Sequence, residues 1–466
     1  MLNKKGPAAA QTGGGQTLAQ KEDAKTFYRT VFSLVLPMAL QNLINVAVTS
    51  ADVVMLGWVG ETALSASSLA GQVQFIMTLF FFGLTSGAAV LTAQYWGKKD
   101  TRTIEKVLGI TLRFSLSIAL LFTLAVLLFP APIMHIFTSD QAVINEGVRY
   151  LRVVAVSYLM MSVTMVYLNI MRSVERVVIS TVVYLVSLLT NIVLNSIFIF
   201  GLLGLPAMGI AGAALGTVVA RGVELAIVLV YSHRNQVVRF SLRDLFVHDR
   251  LLFRDFLRYS IPVTANELMW GLGTSMNAVV IGHLSSSVVA ANSVAQVARQ
   301  LATVVAFGIA NAAAIVIGKA IGEDRYEAAK LYSRRFIKLT LIAGCAGAAV
   351  ILLVRPIVIS ALTLSVEAQG YLSFMMFVMS YFVIGQAVNT TMVVGIFRAG
   401  GDTKFGLFLD VSTMWGCSIL LGALAAFVFQ WSVPVVYVLL MSDEIIKLPF
   451  TAVHYRRMSW LRNVTR

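Results

Sequence analysis

Twelve stretches of this chain are apolar over the roughly 20 residues needed to cross about 30 Å of hydrocarbon. They run approximately over 31–59, 64–95, 104–128, 150–171, 177–203, 207–231, 256–284, 289–318, 331–354, 371–397, 405–430 and 433–455. Soluble helices of this length would carry a polar face, and these mostly do not. With 58% hydrophobic and only 12% charged residues and a mean hydropathy of +0.82, the chain belongs in a bilayer. The expected fold class is an all-α polytopic membrane protein with twelve transmembrane helices.

The sequence also repeats itself at one fixed offset. Pro37, Ser50, Gly57, Ala66, Gly83 and Gly97 return as Pro262, Ser275, Gly282, Ala291, Gly308 and Gly322, and positions 37–113 share fifteen identities with their counterparts over 77 ungapped pairs. Two homologous halves follow. Each holds an even number of spans, so the halves enter from the same side and are related by an axis along the membrane normal, as in transporters that bind substrate at the repeat interface. The charges do not repeat: Asp52 stands opposite Asn277, and Glu267 opposite Asn42.

The net charge of +14 is a topology signal rather than a sign of nucleic-acid binding. Of 36 Lys and Arg, 29 fall in the tails, in connections after even-numbered spans or in the first two turns of the spans that follow them. Both termini are therefore expected in the cytoplasm, with anionic headgroups as the natural partners of the basic face. The expected organisation is a disordered tail over 1–28, a first lobe over 29–231, a basic linker over 232–255, a second lobe over 256–456 and a basic tail over 457–466. No cleaved signal peptide is expected, since no short apolar core with a small-residue cleavage site precedes the first span. Cys345 and Cys417 both lie in spans, which speaks against a disulfide framework or a metal cluster.

An ionisable residue inside a span is costly unless paired or facing water, so each is a functional candidate. Asp52 lies in the outer half of span one. Asn191 and Asn195, spaced i, i+4, share one face of span five at a similar height, and Thr217 on span six arrives at the same level. One carboxylate, two amides and a hydroxyl make an oxygen-rich set suited to a proton or a sodium ion; alternatively the amides join helices by hydrogen bonds. In the second half Glu267 and Asp410 can face a central cavity and attract cationic substrate, or form ion pairs. Met269, Trp270, Trp415 and the run Met375, Met376, Met379 can line an adaptable cavity or pack against helices. Asp443 and Glu444 with Lys447, and Arg221 with Glu224, have the spacing of neutralising pairs. Pro37 and Pro262 interrupt the backbone ladder and can act as bending points.

Several segments resemble the MATE family of multidrug and toxic compound extrusion transporters. They are Pro37 through Ala51-Asp-Val-Val-Met-Leu-Gly57, Asn191-Ile-Val-Leu-Asn195, the glycine-rich run from Gly201 to Thr217, and Arg398-Ala-Gly-Gly-Asp-Thr403; Asn266-Glu-Leu-Met-Trp270 and Asp410 resemble a bacterial branch related to the DinF proteins. The resemblance implies two six-helix lobes around a V-shaped cavity in the bacterial inner membrane, and export of cationic or amphipathic compounds in exchange for H+ or Na+. No other cofactor is implied, and a monomer suffices. Within it Asp52 matches the acid that binds the coupling ion, Asn191, Asn195 and Thr217 its neighbours, and Pro37 the proline at which that helix bends. Asn195 departs from members with a second aspartate there, and Ala387 from a branch with an aspartate on span ten. A lipid-linked precursor flippase of the same superfamily is the alternative function. Such flippases carry a more basic cavity than the scattered Arg113, Arg221 and Arg299 provide.

Overall fold

A computed structural model describes residues 13–235, 237–239, 244–246, 249–361 and 365–466, with side chains from Ala24 onward. The described residues form helices and their connections. The first half comprises α1 (Gly13–Val59), α2 (Glu61–Gly97), α3 (Thr101–Leu128), α4 (Pro130–Phe137), α5 (Gln141–Ser173), α6 (Val178–Phe200) and α7 (Ile210–Arg234). The second comprises α8 (Arg250–Gly282), α9 (Ser286–Gly322), α10 (Tyr326–Ala361), α11 (Val366–Thr390), α12 (Thr403–Asp410), α13 (Leu420–Ala423), α14 (Val433–Leu440) and α15 (Asp443–Arg456).

Ten membrane-crossing segments are long and apolar enough among the described residues. The other two expected spans depart from that pattern for visible reasons. The seventh, α8, carries Arg250, Arg254, Asp255, Arg258 and Glu267 along its length. The twelfth is broken at Met441 and Ser442 between α14 and α15. Wide π-helical turns extend α11 through Thr391–Phe397 and join α12 to α13 through Val411–Ile419. The short helix α4 has no counterpart among the twelve expected spans. Of the tail expected to be irregular, residues 1–12 lie outside the described residues, and from Gly13 the chain is already helical.

The repeat is visible in the backbone as well as the sequence. At the end of α2 the N–H groups of Lys99 and Asp100 return to the carbonyls of Trp96 and Tyr95; at the end of α9 those of Asp324 and Arg325 return to Ile321 and Ala320. Lys99 (φ 60°) and Asp324 (φ 58°) are repeat mates in the same left-handed conformation. Both helices thus end in the same αL-capped turn, which satisfies carbonyls that would otherwise be orphaned.

How the halves meet follows from which helices share a core. Leu56, Met77, Ala119, Tyr158 and Ala214 belong to one cluster built wholly from α1–α7, and Val280, Val288, Met376 and Tyr437 to one built wholly from α8–α14. At the opposite end the clusters are shared. Val31, Val35 and Met38 of α1 pack with Ala312, Val316 and Phe336 of the second half, while Leu252, Phe256 and Tyr259 of α8 pack with Leu91, Val107 and Tyr167 of the first. The two lobes therefore exchange one end of their leading helices. They are joined where Lys98, Lys99, Arg325 and Arg398 lie, and at the other end each core is its own.

Glycine sets the closeness of that junction. A Cβ on Gly83 or Gly87 of α2 would overlap the backbone of Thr264 or Ser260 on α8, and one on Gly308 of α9 would lie 3.2 Å from the Val35 carbonyl of α1. Gly83 and Gly308 are repeat mates, so α2 on α8 and α9 on α1 are the same contact made twice. Close helix approach through small residues is the usual means of packing where lipid supplies no hydrophobic drive.

Candidate functional site: a polar cluster in the first lobe and paired acids in the second

The buried stripe of α6 is Ser180, Val183, Ser187, Asn191, Asn195 and Ile199, so this helix turns a largely polar face to the lobe interior. Asn195 is fully buried, and its Nδ2 donates to Asp52 Oδ1 at 2.6 Å and to Asn191 Oδ1 at 3.2 Å. Donating to two acceptors fixes which end of the amide is nitrogen. The oxygen, Asn195 Oδ1, then points toward α7 and has no hydrogen-bond partner. Gly216 is required there, because a Cβ at that position would overlap Asn195 Oδ1. Thr217, next along α7, donates its hydroxyl to the Ala213 carbonyl at 3.0 Å rather than to the cluster.

The structure thus brings Asp52, Asn191 and Asn195 together in one hydrogen-bonded chain and places Thr217 next to Gly216, which abuts Asn195. The oxygens present are those a hard cation selects: a carboxylate, an unsatisfied amide oxygen and a nearby hydroxyl. A group of three or more His, Cys, Asp or Glu suited to a transition metal is absent among the described residues.

The acids of the second lobe are arranged differently. Glu267 Oε1 lies 2.9 Å from Arg398 Nη1, which also donates to Ser86 Oγ of α2 at 2.9 Å. Asp410 Oδ1 lies 2.9 Å from Lys447 Nζ, whose other carboxylate partners are Asp443 at 3.0 Å and Glu444 at 3.3 Å. Each acid is committed to a cation and would first have to release it to attract another. Helical spacing alone pairs Lys447 with Asp443 and Glu444; Asp410, from α12, is its third partner and no local spacing signals it. Asn389 completes this core, donating to Glu444 Oε2 at 2.8 Å and accepting from Thr451 at 3.2 Å.

Met269 and Trp270 on α8 are half-buried, and the Met269 carbonyl accepts from Trp415 Nε1 at 3.0 Å, which ties α8 to the π-helical turn after α12. Met375, Met376 and Met379 are fully buried and pack in the second-lobe core. Pro37 lies within α1 and Pro262 within α8, and both helices run on unbroken. Around Pro37 lies a group that no sequence motif singles out. The Gln41 side chain donates to Thr181 Oγ1 at 2.8 Å and to the Val177 carbonyl at 3.2 Å, and Thr181 donates to the Pro37 carbonyl at 3.3 Å.

Comparison with known proteins agrees with this architecture. The chain is 22% identical to the uncharacterized transporter YisQ of Bacillus subtilis over 448 residues, 96% of this chain and 97% of that one. It is 29% identical to the probable multidrug resistance protein NorM of Bradyrhizobium diazoefficiens over 311 residues, 66% of each chain. Its fold matches a MOP superfamily transporter from Pyrococcus furiosus with a TM-score of 0.83 at 21% identity, covering 93% of this chain and 96% of that one. It matches the Vibrio cholerae MATE transporter VcmN with a TM-score of 0.83 at 17% identity, covering 94% and 97%. The MatE family profile matches residues 37–197 and 263–424, one segment in each half of the repeat, and the chain belongs to that family of membrane transporters.

Proposed function

We propose that the chain is a cation-coupled multidrug efflux antiporter that works by alternating access, with Asp52 as the coupling acid. One observation carries this reading. Among the described acids set within the helices, Glu224, Glu267, Asp410, Asp443 and Glu444 each lie within 2.8–3.3 Å of an Arg or Lys, whereas the hydrogen-bond partner of Asp52 is the amide of Asn195. An intramembrane carboxylate held by a neutral group keeps its charge for an exchangeable cation, H+ or Na+. Asn191, Asn195 and Thr217 complete the ion site, and Pro37 and Pro262 are the bending points of α1 and α8. Met269 and Trp270 contribute apolar surface to the substrate path, and Glu267 and Asp410 act on it through their ion pairs.

The positive-inside rule puts the joined, basic end of the lobes in the cytoplasm, with both termini on that side of the inner membrane. The separated end then faces outward. The name of the NorM relative, a probable multidrug resistance protein, supports small-molecule drugs as substrates, and we take these to be cationic or amphipathic. Ion and substrate binding oppose each other by one shared coupling energy, on the order of 1–3 kcal/mol. The test is efflux of a cationic dye from proteoliposomes under separately imposed proton and sodium gradients. Asp52→Asn should still bind dye and lose gradient-driven efflux; full efflux by that variant would overturn the assignment.

A further inference from the structure

The segment after α15 belongs by chain connectivity to the second lobe, yet several of its hydrogen bonds cross to Gln94 and Tyr95 of the first. Trp460 is fully buried. The Val464 N–H donates to Gln94 Oε1 at 2.7 Å, and Gln94 Nε2 donates to the carbonyls of Ala399 at 2.7 Å and Arg462 at 3.1 Å. Arg466 forks onto Asp255 at 2.9 and 3.0 Å, and its N–H reaches Tyr95 Oη at 3.4 Å. Asn463 Nδ2 donates to Asp324 Oδ1 at 2.8 Å.

Gln94 is the centre of this arrangement. It is fully buried on α2, and the three hydrogen bonds of its side chain all go to the second lobe or to this segment. Its repeat mate, Lys319 on α9, makes the reciprocal crossing, pairing with Glu175 of the first lobe at 2.6 Å. Two polar ties therefore span one mouth, one ionic and one neutral. A segment that only finished the packing of its own lobe would find its partners on α10–α15. Apart from the Trp460 Nε1 bond to the Tyr455 carbonyl of α15, this one finds them on α2, at the end of α9 and the turn after it, and on the part of α8 buried against the first lobe. Parting the ends of α2 and α9 would break the bonds to Val464 and Arg462 and leave a fully buried amide unpaired, at a cost of about 1–3 kcal/mol for such a group.

We infer that Gln94 and residues 460–466 form a latch that holds the basic mouth of the transporter shut and positions the closed state. The inference rests on the proposed alternating access for its consequence, since only a mouth that opens needs a latch. The experiment uses the full chain with Cys345 and Cys417 replaced by Ser, reconstituted in lipid, with spin labels at Lys99 and Glu327 on the two sides of the mouth. Interspin distances are compared with the deletion of residues 462–466 and, separately, with Gln94→Leu. Both should raise the long-distance population at least threefold, while Glu327→Cys paired with Lys99→Cys alone stays mainly short. Distance distributions unchanged by both alterations would overturn the latch. If saturating cationic dye lengthens the distance in the full chain but the deletion does not, the latch fails and alternating access stands. If no variant and no ligand ever lengthens it, alternating access fails as well. Should Gln94→Leu not fold, the deletion decides alone, since it leaves Trp460 and the helices intact.

Discussion

Gly97 and Gly322, repeat mates in the two halves, each lie against a carbonyl of the other's helix: a Cβ on Gly97 would overlap Lys319 O, and one on Gly322 would overlap Gln94 O. The contact is its own image, which places the pseudo-twofold axis between the ends of α2 and α9. Ala93 and Gly318 are also repeat mates, and a Cβ on Gly318 would stand 2.9 Å from that of Ala93.

Gly322→Ala should therefore push the two helices apart, because the obstacle is backbone and cannot swing away as a side chain can. Overpacking of this kind costs about 1–3 kcal/mol. Gly71→Ala on α2, where a Cβ meets nothing within 4 Å, should be neutral or stabilise by up to about 1 kcal/mol through helix propensity. Thermal unfolding in detergent separates the two. Equal melting of Gly322→Ala and the parent would show that the close approach does not constrain the fold.

Lys447 gives the next expectation. It is 3% exposed and its ammonium is shared by Asp410, Asp443 and Glu444. Lys447→Met would bury three carboxylates without their common partner, and breaking a buried pair in this way costs roughly 3–5 kcal/mol. Asp410→Asn removes one of three acceptors and should cost clearly less. The ordering is read from melting temperatures; an Asp410→Asn variant less stable than Lys447→Met would contradict it.

Much of this was legible because it is periodic or repeated. The fixed offset between matching positions foretold two lobes, and it reappears in the αL turns at Lys99 and Asp324 and in the glycine contacts of α2 and α9. The i, i+4 spacing of Asn191 and Asn195 foretold their shared face, and Asn195 bridges Asn191 to Asp52. What escaped the sequence are pairings fixed only by tertiary approach. Arg398 and Glu267 are remote in the chain, and their ion pair joins the end of the π-helical extension of α11 to α8. The tail over 457–466 reads in the sequence only as basic, yet Trp460 and Val464 pack into shared cores while Arg466 finds Asp255.

At Pro37 a ring of side-chain hydrogen bonds holds α1 to α6. Pro37 cannot donate to the carbonyl one turn earlier, and a spanning helix needs neighbouring side chains to keep its backbone groups satisfied. The carbonyl that loses its donor is that of Ser33; one turn on, Thr181 of α6 gives the Pro37 carbonyl a side-chain donor, and Gln41 closes the ring by donating to Thr181, which fastens α1 to α6 beside the proline. The repeat does not carry the ring: the mates of Gln41 and Thr181 are Asn266 and Gly406, and Gly406 has no hydroxyl to offer. Thr181→Val keeps the shape and removes the hydroxyl, so it should destabilise by about 1–2 kcal/mol, with Thr181→Ser restoring most of the loss. If Val and Ser variants melt alike, the hydroxyl contributes nothing at this position.

The pH response of the segment after α15 follows from Asp324. The Asn463 amide, and after it the Tyr326 hydroxyl, hold this exposed carboxyl below the usual carboxylate range. Its folded value is lower than its unfolded one, so the tie is at full strength above an ordinary aspartate value of about 3.9 and is lost only as pH falls through the lowered value. Between about pH 6 and about pH 8 the Asn463–Asp324 tie should be constant. Amide hydrogen exchange over residues 460–466, corrected for intrinsic rates, should accordingly show the same protection at both ends of that range, and Asp324→Ala should lower it equally at both. A step in protection near neutral pH would mean that a group other than Asp324 governs the segment, and would connect its release to the proton itself.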